Sequence, residues 1–229
     1  MIKRLNIKKN FLSEISQEWD SGDLIIVSSR PKMGKTAFAL SLIHNFVAQN
    51  VPSRFISSNT KESDLSQRFN NFEIDTCEKL FVFNELQIRN IDELKENIYR
   101  LSLSDNIKII FIDNLEYVYA DVETYIQLKK IAHELSLTII ISLPLDSPIL
   151  YEHTKPSLSS LTKKIKGIDK VADYIYFIYR PEYYSLNSTE YSLGHIIISK
   201  SKRMDTGYFP VCFNKASGRF TDYDSDKIG

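Results

Sequence analysis

A mostly parallel α/β sheet with flanking helices and an antiparallel C-terminal extension is what three features of the 229-residue sequence predict. A glycine-bearing loop, Ser28-Ser29-Arg30-Pro31-Lys32-Met33-Gly34-Lys35-Thr36, joins an apolar run to an amphipathic one. Apolar runs of strand length then alternate with segments of helical period, as crossover-connected parallel strands covered on both faces do. The last part of the chain changes character, to strand-like runs separated by short polar stretches.

Residues 1–19 form a short N-terminal segment, where Phe11, Leu12 and Ile15 are spaced for a small packing helix. The first strand is expected over residues 24–27, and others over 54–57, 80–83, 109–113, 138–142 and 174–179. Ile91, Leu94, Ile98 and Leu101 step by three and four, as do Tyr125, Leu128, Ala132 and Leu135, so each set predicts one buried helical stripe. Residues 146–170 are rich in Ser, Pro and Lys with no clear period, and are expected as a long loop, functional or mobile. Strand-like runs at 195–199 and 208–214, a tight turn at Lys215-Ala216-Ser217-Gly218 and Arg219-Phe220 complete the extension. One domain over residues 20–223 accounts for the pattern, with 224–229 as a tail.

Lys plus Arg and Asp plus Glu balance at 29 each, which excludes a chain that wraps nucleic acid by overall charge; such contact has to be local. Cys77, expected in a loop, and Cys212, expected in a strand, are too far apart for a zinc motif and suit a reducing compartment. No run approaches ~18 apolar residues, and no signal-peptide core follows the start. A soluble, cytoplasmic protein with no membrane partner is the expectation.

The loop at 28–36 reads as a phosphate cradle. In such loops backbone N–H groups and a helix N-terminus surround the phosphates, a lysine reaches β- and γ-oxygens, and a hydroxyl holds Mg²⁺. Lys35 and Thr36 fit those roles for ATP, while Ser29 stands where the first glycine of G-x-x-x-x-G-K-[ST] usually falls. Asp113 closes the apolar run Ile109-Ile110-Phe111-Ile112, the form of a buried strand whose carboxylate faces the Mg²⁺. Its plainer alternative is a turn-capping aspartate.

Read together, Gly22 to Ala39 with its Arg-Pro-Lys-Met-Gly-Lys-Thr core closely resembles the ATP-binding segment of replicative DNA helicases of the DnaB type. The resemblance continues in Phe111-Ile112-Asp113-Asn114-Leu115, in Ala172 to Arg180, in Ile196 to Gly207, and in Phe213-Asn214 and Arg219-Phe220. It implies a RecA-like P-loop NTPase fold, with Mg-ATP and single-stranded DNA as ligands. Nucleotide contacts then fall on Ser29, Arg30, Pro31, Lys32, Met33, Gly34, Lys35, Thr36 and Ala37, and metal contacts on Thr36 and Asp113. Arg180, at the end of Tyr174 to Tyr179, suits stacking on a base or, as such residues more often do, forms a sheet rim under a loop.

Departures from the family pattern point to slow turnover. Asn59 stands where the family has a water-activating glutamate, and a lost general base costs about 10²–10⁴ in rate. Glu62 is a substitute or simply a helix-start carboxylate. Lys200 and Lys202 align with a Lys-x-Arg pair that enters the neighbour's site, and lysine lacks the guanidinium fork. Arg203, one position late, is expected on the other side of a strand. Leu143 or Pro144 replaces a relay amide, and the loop after Asp113 is short. DNA contact therefore rests on Lys163, Lys164 and Lys166, whose alternative is a solvated basic loop. The segment 59–80 is short, and little chain precedes Gly22 for the linker helix that locks rings, so a stable hexamer is not expected. Two readings result: a DNA-dependent ATPase motor, or a nucleotide-gated binding module serving a replication or phage partner, with self-association open in both.

Overall fold

A computed structural model describes residues 15–16, 18–57, 60–70, 81–85, 90–104, 106–115, 121–145, 155–183, 193–203 and 205–223. Among the described residues nine strands form one sheet in the order β3-β2-β4-β5-β1-β6-β7-β8-β9. The strands are β1 (Leu24–Ser29), β2 (Ser53–Ser57), β3 (Phe81–Glu85), β4 (Ile109–Asp113), β5 (Thr138–Pro144), β6 (Tyr174–Tyr179), β7 (Leu193–Lys200), β8 (Gly207–Asn214) and β9 (Arg219–Asp222). Pairings from β3 through β6 are parallel, and β6 through β9 pair antiparallel. Every residue of β1, β2, β4, β5 and β6 is buried, which is why β1, β4, β5 and β6 are largely unbroken apolar runs instead of alternating ones, while β2 carries buried Ser53, Arg54 and Ser57.

Among the described residues these helices cover the faces: α1 (Lys35–Val47), α2 (Glu62–Asn70), α3 (Ile91–Ser104), α4 (Val122–Glu134), α5 (Leu158–Lys164) and α6 (Ile168–Val171). On one face Phe38, Leu42 and Ile43 of α1 and Leu65 of α2 pack on Val27, Phe55 and Phe111. On the other, Leu94 and Ile98 of α3 and Tyr125, Leu128 and Ala132 of α4 pack on Ile26, Ile110 and Ile139. Ile15 is fully buried in the first layer, while Phe11 and Leu12 lie outside the described residues. Trp19 anchors the approach to β1, donating from Nε1 to the Tyr176 hydroxyl at 2.8 Å. No helix among the described residues is long and apolar enough to cross a membrane.

The long loop expected over 146–170 is corrected: residues 158–164 and 168–171 are helical. Leu161 and Ile168 are completely buried there, and Ile165 nearly so. Their three- and four-residue spacing is present in the sequence but diluted by serines and lysines. Arg203 is corrected as well, because β7 ends at Lys200 and Arg203 sits in a bend, its guanidinium paired with Asp20. Cys212 lies in β8 as expected; Cys77 falls outside the described residues.

Candidate nucleotide-binding site

Parallel strands all end at one edge of the sheet, and there β1 delivers the chain into the loop that starts α1. Gly34 makes the turn with φ 100°, in the left-handed region that favours glycine. A Cβ on Gly34 would stand 3.1 Å from the Phe220 ring, a tight contact that the ring of β9 would have to give way to. No side chain caps the N-terminus of α1. Its first N–H groups therefore face the cleft with the positive end of the helix dipole, a setting suited to an anion.

The cleft above this loop has a volume of about 1080 Å³. Pro31, Lys32, Gly34, Lys35, Thr36 and Ala37 line it on one side. Ser29, Arg30 and Met33 do not line it; all three are buried in the protein, Met33 within the hydrophobic layer around α1. Lys35 Nζ lies 3.5 Å from the Ser29 carbonyl oxygen.

Asp113 reaches the same cleft from the end of β4, two strands from β1. Thr36 donates its hydroxyl to Asp113 Oδ2 at 3.0 Å, and Ser142 donates to Oδ1 at 2.5 Å. Burial pushes the Asp113 carboxyl above the ordinary carboxylate range, opposed by those two hydrogen bonds and by the nearby charges of Lys35 and Arg68. A hydroxyl and a carboxylate side by side next to an anion cradle are hard oxygen donors of the kind Mg²⁺ takes when it shares phosphate oxygens. The donor set fits that ion.

At the other flank of the loop, Arg180 is buried and lies over the Phe213 ring, its central carbon 3.8 Å from the ring centroid. Glu182 pairs with Arg180 and holds Lys215 Nζ at 3.0 Å. Lys215, Ala216, Ser217 and Gly218 complete this wall.

Other expected site residues are elsewhere. Lys200 and Lys202 lie at the opposite end of the sheet from their own chain's cleft, since Lys200 pairs in register with Ile175 near the start of β6. Lys200 Nζ donates to the carbonyls of Asp169 and Ala172, and Lys202 Nζ sits 2.6 Å from Asp23 Oδ1. Lys163 and Lys166 are exposed, and Lys164 donates to the carbonyl of Pro144, itself a cleft-wall residue, at 3.0 Å. Asn59 lies outside the described residues. Glu62 opens α2, and its side chain also lies outside the description.

Sequence reasoning missed Arg68, which lines the cleft from α2, and the Glu182–Lys215 pair. Arg68 carries no motif: it lies one turn after Leu65, which is buried on α2, so the packing of Leu65 sets where Arg68 stands.

Fold and cleft together define a RecA-like α/β protein with a phosphate loop at the carboxyl edge of its sheet. The sequence matches the DnaB-like helicase C terminal domain family over residues 7–80 and 70–222, and the chain belongs to that family. It is 24% identical over 87% of its length to a probable plasmid replicative DNA helicase of Chlamydia psittaci, covering 51% of that protein. It is 23% identical over 93% of its length to the replicative DNA helicase DnaC of Bacillus subtilis, covering 55% of it. The chain thus spans about half the length of these relatives. Among solved structures, a DnaB-like replicative helicase, described with its interactions with primase, superposes with a TM-score of 0.79 at 20% identity, over 91% of this chain and 59% of that one. A KaiC-like protein from Pyrococcus horikoshii shares the fold more distantly, with a TM-score of 0.64 at 16% identity, over 89% of this chain and 90% of that one.

Proposed function

We propose that this DnaB-like replicative helicase domain binds Mg-ATP in the cleft at the carboxyl edge of its sheet and couples turnover to single-stranded DNA. The observation that carries the reading is the Thr36 hydroxyl bonded to Asp113 at 3.0 Å beside the uncapped N-terminus of α1. The α1 N–H groups and Lys35 bind and orient the phosphates, and Thr36 and Asp113 hold Mg²⁺, which supplies charge neutralisation between phosphate oxygens. Lys163, Lys164 and Lys166 are the proposed contacts to the DNA backbone. The bond from Lys164 to Pro144 supports communication between them and the cleft, because one hydrogen bond separates a candidate phosphate contact from the cleft wall. The site of action is the cytoplasm, with a replication protein or a second copy of the chain as partner.

A second reading, a nucleotide-gated binding module without efficient turnover, is favoured by the engagement of Lys200 and Lys202 within their own chain and by Asn59 at the position of the family's glutamate. Hydrolysis of ATP by the purified protein with Mg²⁺, with and without single-stranded DNA, separates the two. DNA-stimulated turnover abolished in Lys35→Ala supports the motor. Binding without turnover, partly restored by Asn59→Glu, supports the module.

A further inference from the structure

The cleft has a direction. At one flank a planar guanidinium and a ring, Arg180 and Phe213, stand together; at the other, Thr36 and Asp113 form the oxygen pair that suits a metal. A nucleotide laid along it, base toward the flat groups and phosphates over α1, carries its terminal phosphate toward β4 and the neighbouring β2. The chain leaving β2 forms α2, held to the core by Leu65, which is 1% exposed. Arg68, one turn further, lines the cleft on that side.

Arg68 lines the cleft and makes no hydrogen bond or ion pair with any of the described residues. Arg68 is exposed on α2, and its charge acts on Asp113 together with that of Lys35. Lys35 comes from the β1 side and Arg68 from the β2 side, with Asp113 between them.

We propose that Arg68 is a phosphate-binding residue acting within its own chain: its guanidinium holds the terminal phosphate of a nucleoside triphosphate from the side opposite Lys35. The proposal rests on the nucleotide reading above and adds to it a discrimination between tri- and diphosphate. A guanidinium presents paired N–H donors that match two oxygens of one phosphoryl group. It also supplies, from the same chain, a cation in a cleft to which Lys200 and Lys202 of that chain are not directed. A diphosphate, ending over α1, leaves Arg68 without a partner.

The test is binding of ATPγS and ADP, each with Mg²⁺, to the wild type, Arg68→Ala, Arg68→Lys and Lys35→Ala by titration calorimetry, with thermal unfolding of each variant. A lost charge-assisted hydrogen bond is worth about 1.5–3 kcal/mol, or roughly 10- to 150-fold in affinity. Arg68→Ala is expected to weaken ATPγS by that factor and ADP by about twofold or less. Arg68→Lys, keeping charge without the fork, is expected in between. Unfolding temperatures should not move, since Arg68 has no partner to lose among the described residues. Wild-type preference for ATPγS retained in Arg68→Ala overturns the proposal and leaves the nucleotide site standing, as does equal weakening of ATPγS and ADP. A wild type that binds neither ligand overturns the nucleotide reading and the proposal with it.

Discussion

The two ends of the same sheet treat charge in opposite ways. At the amino end of the parallel strands, Asp23 is 1% exposed and accepts from the Asp20 N–H at 2.7 Å, with Lys202 Nζ at 2.6 Å and Lys129 Nζ at 3.8 Å. Asp173 accepts from the Leu24 N–H at 2.8 Å and pairs with Lys129 and Lys202. These carboxylates tie the starts of β1 and β6 to α4 and to the bend after β7. At the carboxyl end, Arg68 and the exposed Lys32 line an open cleft beside an uncapped helix. Charges that answer one another hold a fold together; charges left facing a cavity await a ligand. Substitutions at the first end should move stability and spare nucleotide affinity, and those at the second should do the reverse.

The sharpest contrast comes from Lys35→Ala, which should reduce ATP affinity by about 100-fold or more, as expected for losing a desolvated charge-assisted contact, with an unchanged unfolding midpoint. A titration of nucleotide against both proteins checks this. Asp23→Ala should do the opposite, costing about 1–3 kcal/mol in denaturant unfolding because it leaves the Asp20 N–H without its acceptor and the Lys202 ammonium with Asp173 alone, while ATP affinity stays within about twofold. If Asp23→Ala abolished nucleotide binding in folded protein, the two ends would not be independent.

Gly34→Ala is expected to cross the divide. Its φ of 100° and the Phe220 ring 3.1 Å from the added Cβ predict a loss of about 1–2 kcal/mol in stability together with weaker nucleotide binding. The smallest effect concerns Lys202, whose folded pKa is raised from 10.5: burial pulls it down, but the hydrogen bond and charge of Asp23 outweigh that. A raised lysine stabilises the fold fully below its unfolded pKa and loses that contribution as pH climbs through the folded value. The stability difference between wild type and Lys202→Ala should therefore be flat from neutral pH to roughly pH 10 and shrink above it, as chemical denaturation across that range would show.

Much of this was legible in the residues. Buried parallel strands announce themselves as unbroken apolar runs, so β1, β4 and β6 were placed to within two residues at each end. Gly34-Lys35-Thr36 and Asp113 located the cleft because phosphate and metal chemistry constrains residue type as well as spacing. Other parts were hidden for physical reasons. Leu161 and Ile168 mark helices too short to show a period through their serines and lysines. Arg68 carries no motif, since its place in the cleft follows from Leu65 fixing the rotation of α2, a tertiary fact. The destinations of Lys202 and Arg203 depend on Asp23 and Asp20, more than 170 residues earlier in the chain.

The central claim is that the carboxyl-edge cleft is a Mg-ATP site, and calorimetric titration of ATP into the wild-type protein, with Mg²⁺ and with a chelator, tests it most directly. Saturable binding at one site per chain, weakened by the chelator and lost in Lys35→Ala, is the predicted result. No heat of binding in the folded wild type, or binding indifferent to both Lys35 and Mg²⁺, would contradict it.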